Sequence, residues 1–133
     1  MAELAQAGQP EQTVYDFVGG EATFRRLVDA FYRGIEQEPL LRPMYPEDLT
    51  AARDHMTLFL MQYWDGPRRY DALRGHPRLR MRHFPFAIGP QERDAWLKHM
   101  LAAVEEVGIP EPARGLMLEH FNHVAGFLVN KPE

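Results

Sequence analysis

The chain has neither cysteine nor serine. The first absence excludes disulfides, thiolate zinc sites, iron–sulfur clusters, cysteine nucleophiles and the covalent c-type haem linkage. Any metal must therefore be held by histidine or carboxylate, or arrive inside a cofactor. The second absence excludes a Ser/His/Asp triad, and Thr13, Thr23, Thr50 and Thr57 sit at or inside predicted helices with no activating base beside them. No apolar run reaches the roughly 20 residues that a membrane-spanning helix needs. The opening segment MAELAQAGQPEQ lacks the charged-then-apolar layout of a secretory signal, so a cytoplasmic location is expected. No glutamate stands three residues before a histidine and no HExxH occurs, which drops the di-iron bundle and zinc-protease readings. His120 and His123 share one helical face without a third ligand and are expected at the surface or at a rim. The glycines of VGGE do not follow a strand, so no phosphate loop is indicated.

What is present reads as one helical domain. With 133 residues, 45% of them hydrophobic, the chain can bury a single core. Residues 13–131 are expected to form the domain and residues 1–12 a disordered tail. After the break at Gly19 and Gly20, Phe24, Leu27, Val28, Phe31, Tyr32 and Ile35 fall on one helical face over residues 21–37. Pro39 and Pro43 restrict the next stretch to a short turn. Residues 48–64 then put Leu49, Ala52, Met56, Phe59, Leu60 and Tyr63 on a second face, ended by DGP at 65–67. A third helix runs from about residue 90 to Val107 with a stripe of Trp96, Met100, Ala103, Val104 and Val107. A fourth covers about 113–130 through Met117, Phe121, Val124 and Leu128. No convincing strand and no internal repeat is found.

Charge is unevenly placed. Residues 66–84 hold Arg68, Arg69, Arg74, Arg78, Arg80 and Arg82 against Asp71, a local +5 in a chain of net −4, which leaves −9 for the rest. This segment is broken by Gly75 and Pro77 and stopped by Pro85, and irregular segments on rigid scaffolds commonly carry sites. Its basic character fits either a solvated loop or a seat for a small anion; nucleic acid would be repelled by the remainder. Tyr32, Tyr45 and Trp96 are polar aromatics at positions the periodicity buries, and each needs a hydrogen-bond partner there. Each alone reads as a core residue bonded to a carbonyl; together they suggest a pocket lined by donors.

Six stretches, YDFVGGEATF, FYRGI, MYPED, FLMQYWDGP, RGHPRLRMRHFPF and ERDAWL, resemble the truncated haemoglobins, specifically the group II, O-type class. The resemblance runs from about Tyr15 to Asn130, and RLRMRH followed by ERDAWL is its most specific part. It implies an all-α truncated globin fold, a two-over-two helical sandwich around non-covalent haem b. One departure is visible: DGP has one glycine where the family pattern has two.

Carried over residue by residue, the resemblance makes His83 the axial ligand of the iron through a neutral imidazole nitrogen, and Arg82 a partner of a haem propionate. Tyr32, Tyr45 and Trp96 would surround the ligand on the other face, with Ala52 where many larger globins carry histidine. Met56, Phe59, Leu79, Met81, Phe86 and Phe127 would touch the macrocycle. Hydroxyl and indole donors stabilise a diatomic ligand that gains negative charge on binding. The implied function is reversible binding of O2, and of CO, NO, cyanide or sulfide. It fits redox handling of O2, NO or peroxide, in the manner of an NO dioxygenase or a peroxidase, better than oxygen transport or storage. Such chemistry needs an external reductase, because no flavin or nicotinamide domain is present. A homo-oligomer is implied by family analogy alone. Two other readings stand beside it: a haem-free helical module that binds an anionic partner through the arginines, and a haem-based sensor, which lacks an attached output domain.

Overall fold

The computed structural model describes residues 3–4, 12–70 and 86–130. A two-residue antiparallel ladder pairs β1 (Glu3–Leu4) with β2 (Gln12–Thr13), Glu3 lying opposite Thr13. Helix α1 (Val14–Val18) follows directly, and the Thr13 hydroxyl caps it by accepting the Asp16 N–H at 3.1 Å. Gly19 and Gly20 have φ of 110° and 70°, conformations open to glycine, and they turn the chain into α2 (Glu21–Glu36). A 3-10 turn at Arg42–Met44 leads to α3 (Thr50–Tyr63). Helices α4 (Pro90–Val107) and α5 (Ala113–Phe127) complete the described chain. The four long helices lie where the periodicity puts them; the ladder is an addition that no local pattern announced.

The arrangement is two-over-two, α2 and α3 over α4 and α5, with α2 packed on both α3 and α4, and α4 on α5. Helix α2 buries the predicted face: Phe24, Leu27, Val28, Phe31, Tyr32 and Ile35 are all inaccessible or nearly so. Its contact with α4 is close. A Cβ on Gly34 would collide with the ring of His99, and that ring is held by Glu38, whose Oε1 lies 2.8 Å from His99 Nε2.

Helix α3 departs from expectation in an informative way. Its fully packed residues are Thr57, Leu58, Leu60 and Met61, whereas Ala52, Met56 and Phe59 of the predicted stripe are only partly buried and Tyr63 is 40% exposed. The helix has two apolar faces. One meets the core and the other meets open space inside the molecule.

Candidate functional site

That open space is a cavity of about 400 Å³ between α2, α3, α4 and α5. Tyr32 enters it from α2, Tyr45 from the segment after the 3-10 turn, Ala52, His55, Met56 and Phe59 from α3, and Trp96 from α4. Helix α5 closes it with His120, Phe121 and Val124, joined by Leu128 just past its end. A second cavity of about 510 Å³ adjoins it and shares Tyr45, Pro46, Trp96, Val124 and Leu128; Phe86 and Ile88 also line it. Glu92 also reaches this second space. Its carboxylate accepts the Gly89 N–H at 2.7 Å, so this buried acid is engaged in capping α4.

Tyr32, Tyr45 and Trp96 gather around Phe31. The ring of Tyr45 stands edge-on to Tyr32, with centroids 5.6 Å apart and planes at 88°. Phe31, fully buried, backs both Tyr32 at 5.1 Å and Trp96 at 5.5 Å, fixing the two helices' contributions against each other. Burial, reinforced by the neighbouring Tyr45, raises the Tyr32 phenol well above its ordinary value, with Arg53 opposing. Burial pushes Tyr45 up to about 12, against a hydrogen bond that the Trp96 indole donates to its oxygen. Both phenols are therefore intact O–H donors throughout the physiological range. Ala52 offers only a methyl group. This part of the cavity wall can stabilise negative charge and, at neutral pH, has no side chain among these four that takes up a proton.

Of the residues singled out from sequence, Tyr32, Tyr45, Ala52, Met56, Phe59 and Trp96 share this one cavity wall. Phe86, 38% exposed, lines the adjoining space, and Phe127, 46% exposed, lines neither. His83, Arg82, Leu79 and Met81 lie outside the described residues, as do Arg74, His76, Arg78 and Arg80. Sequence reasoning missed Tyr70 and His120 as wall residues. Tyr70 falls in the irregular arginine segment, where no periodicity speaks. His120 stands one helical turn from Val124, and that spacing was the available signal. His123 is exposed, whereas His120 is half-buried on the cavity wall.

The profile of the bacterial-like globin family matches residues 13–130. The chain is 38% identical over 126 residues to the group 2 truncated hemoglobin YjbI of Bacillus subtilis, covering 95% of each. Among solved structures, the hemoglobin of the thermophilic phototrophic bacterium Chloroflexus aurantiacus superposes with a TM-score of 0.89 at 58% identity, over 92% of this chain and 100% of that one. The group II truncated hemoglobin of Bacillus anthracis gives 0.89 at 38% identity, over 94% and 95%. The chain belongs to the bacterial-like globins, as a group II truncated haemoglobin. Membership implies a haem cofactor and small diatomic ligands, and does not favour the haem-free anion-binding module. The described residues fit that group. Met56, Phe59, Phe121, Val124 and Leu128 give the apolar walls a macrocycle needs, and Tyr32, Tyr45 and Trp96 supply hydrogen-bond donors that a ligand requires. No described helix is long and apolar enough to cross a membrane.

Proposed function

We propose that the protein carries non-covalent haem b and binds O2, and also CO, NO, cyanide or sulfide, on the side of Tyr32, Tyr45 and Trp96. Haem supplies an iron that takes up diatomic ligands. This chain supplies their surroundings. The observation that carries the reading is the convergence of two protonated phenols and an indole on the wall of an apolar cavity whose Ala52 position lacks a histidine. Trp96 donates to the Tyr45 oxygen, which leaves the Tyr45 proton to point elsewhere, toward a ligand or toward Tyr32.

Charge-assisted hydrogen bonds contribute ~1.5–3 kcal/mol each, so two would slow ligand release by roughly a hundredfold or more. Retention of that kind suits redox chemistry on O2, NO or peroxide with an external reductant, and suits delivery poorly. His83 is proposed as the axial ligand, Arg82 as a propionate partner, and Leu79, Met81, Phe86 and Phe127 as apolar contacts; a cytoplasmic location and self-association belong to the same proposal. The test is the absorption spectrum of purified, haem-supplemented variants. His83→Ala should lose the Soret band or shift it to that of a weakly held, misligated haem while helical circular dichroism is retained, and His76→Ala should keep it. A bleached His76→Ala beside an unaltered His83→Ala would reverse the assignment.

A further inference from the structure

The segment that brings Tyr45 to the cavity has little apolar packing of its own. Leu41 and Leu49 are buried at its two ends, but Pro43, Pro46, Glu47 and Asp48 between them are exposed. Its backbone also lies outside any long helix. Tyr45 is extended, at φ −115° and ψ 151°, as a residue before proline prefers, and Pro46 has no N–H to donate. The successive carbonyls of Tyr45, Pro46 and Glu47 therefore need partners from elsewhere.

Arg42 supplies all of them. Its Nη1 donates to the Tyr45 carbonyl at 3.3 Å and to the Pro46 carbonyl at 2.9 Å, and its Nη2 donates to the Glu47 carbonyl at 2.9 Å. The main-chain carbonyl of the same Arg42 accepts the Tyr45 N–H at 3.1 Å. One residue thus holds both main-chain polar groups of Tyr45. Arg25, Arg33, Arg53, Arg69 and Arg114 each meet a carboxylate, whereas Arg42 spends its guanidinium on backbone alone among the described residues. A guanidinium carries its donors in a rigid planar fork, so it fixes the carbonyls relative to one another, which a single ammonium nitrogen on a flexible stem does far less well.

We propose that Arg42 is a positioning residue for the bound ligand: by clamping residues 45–47 it fixes where the Tyr45 hydroxyl stands, and so sets how strongly the site holds O2 relative to CO. The inference rests on the reading of Tyr45 as a ligand donor. It adds a residue that lines neither cavity and never meets the ligand. The Tyr45 ring is edge-on to Tyr32 and its oxygen accepts from Trp96, both directional contacts. Hydrogen bonds weaken steeply with misalignment. The reach of the hydroxyl is set by the main chain from which the ring projects, and that main chain is what Arg42 holds. Releasing it costs a ligand that carries negative charge, as bound O2 does, and leaves CO nearly indifferent.

The experiment measures O2 and CO dissociation from the haem-loaded ferrous protein in Arg42→Met, which keeps an unbranched stem and deletes the donors, in Arg42→Lys, in Tyr45→Phe and in the Arg42→Met/Tyr45→Phe double variant. Arg42→Met should keep the Soret band and release O2 about tenfold faster, with CO changed by less than about twofold, and Arg42→Lys should recover part of the difference. On the Tyr45→Phe background the same methionine should change O2 release by less than about twofold, because the hydroxyl it positions is gone. Loosened packing alone would accelerate both gases and act on either background. Unchanged O2 release from Arg42→Met, equal acceleration of the two gases, or an effect of full size on Tyr45→Phe would overturn the inference and leave the donor reading intact. Unchanged O2 release from Tyr45→Phe would overturn both. If Arg42→Met does not hold haem, Arg42→Lys with and without Tyr45→Phe carries the same comparison, with a smaller acceleration expected and the same outcomes against it.

Discussion

Trp96 differs from its two neighbours in the cavity because an indole N–H can donate and never accept. Its proton goes to the Tyr45 oxygen. Replacing Trp96 with Phe keeps an aromatic body against Phe31 and Phe121, which lie 5.5 and 6.0 Å from the indole, and deletes only the donor. The Tyr45 hydroxyl then loses the bond that orients it. Where that misorientation costs the ligand its bond from Tyr45, a charge-assisted interaction of ~1.5–3 kcal/mol, O2 should leave about tenfold to a hundredfold faster. CO, which carries little negative charge, should be affected far less, and laser-flash or stopped-flow displacement measures both. Equal acceleration of the two gases would point to lost packing. Trp96 and the two tyrosines were readable in the sequence because polar aromatics at buried positions ask for partners. His120 was not singled out, because its one-turn spacing from Val124 is a weak signal on its own and its contact with Tyr63 lies on another helix.

The end of α3 shows how one residue shapes an element. The Gly66 N–H bonds to the Met61 carbonyl at 2.7 Å and the Asp65 N–H to the Gln62 carbonyl at 3.2 Å, the double bond pattern that closes a helix through a left-handed residue. That residue is Asp65, at φ 71°, and its Oδ2 is buried without a partner. The missing second glycine of the family pattern is thus filled by an aspartate in a glycine conformation. Asp65→Gly should stabilise the protein by ~1 kcal/mol, since left-handed geometry costs a side chain that much or more and the orphaned oxygen is removed. The urea midpoint should rise with an unchanged slope; a lower midpoint would mean that the carboxylate contributes more than its conformation costs. The elements themselves were largely visible beforehand, because α2, α4 and α5 each present one apolar stripe to one core. Helix α3 was placed correctly in the chain, but its periodicity reports only which side is apolar and not whether protein or a cavity lies against it; the family resemblance, and not the stripe, assigned Ala52, Met56 and Phe59 to a cofactor site. The Glu3–Leu4 ladder depends on pairing with Gln12–Thr13, which two-residue segments cannot announce.

At the scale of the whole molecule, acid sensitivity separates into two windows. His120 ionises near 6.5 when unfolded and is pushed down to about 4 by burial and by His123. A depressed histidine disfavours the folded state once the unfolded chain takes up the proton. Stability is therefore full above about pH 6.5 and declines as pH falls toward 4. Glu21, Glu38 and Asp48 are held below their ordinary carboxylate values by Arg69, His99 and the Thr50 N–H respectively, so their contributions are lost only at more acid pH. His120→Phe should flatten the first decline and keep the second, as read from urea midpoints across pH 7 to 3.5, values spanning roughly the two ranges. A profile unchanged by the substitution would show that His120 is not the group that titrates. The two-faced character of α3 carries a last consequence, for how freely the sequence can drift. A helix with one apolar face leaves most of its remaining positions open to exchange, but α3 is constrained on one side by the core and on the other by the cavity. In a saturation scan it should be among the least permissive segments, and for two separable reasons: changes at Leu58 and Met61 would lower the amount of folded protein, while changes at Ala52 and Met56 would leave that amount intact and alter what the protein holds.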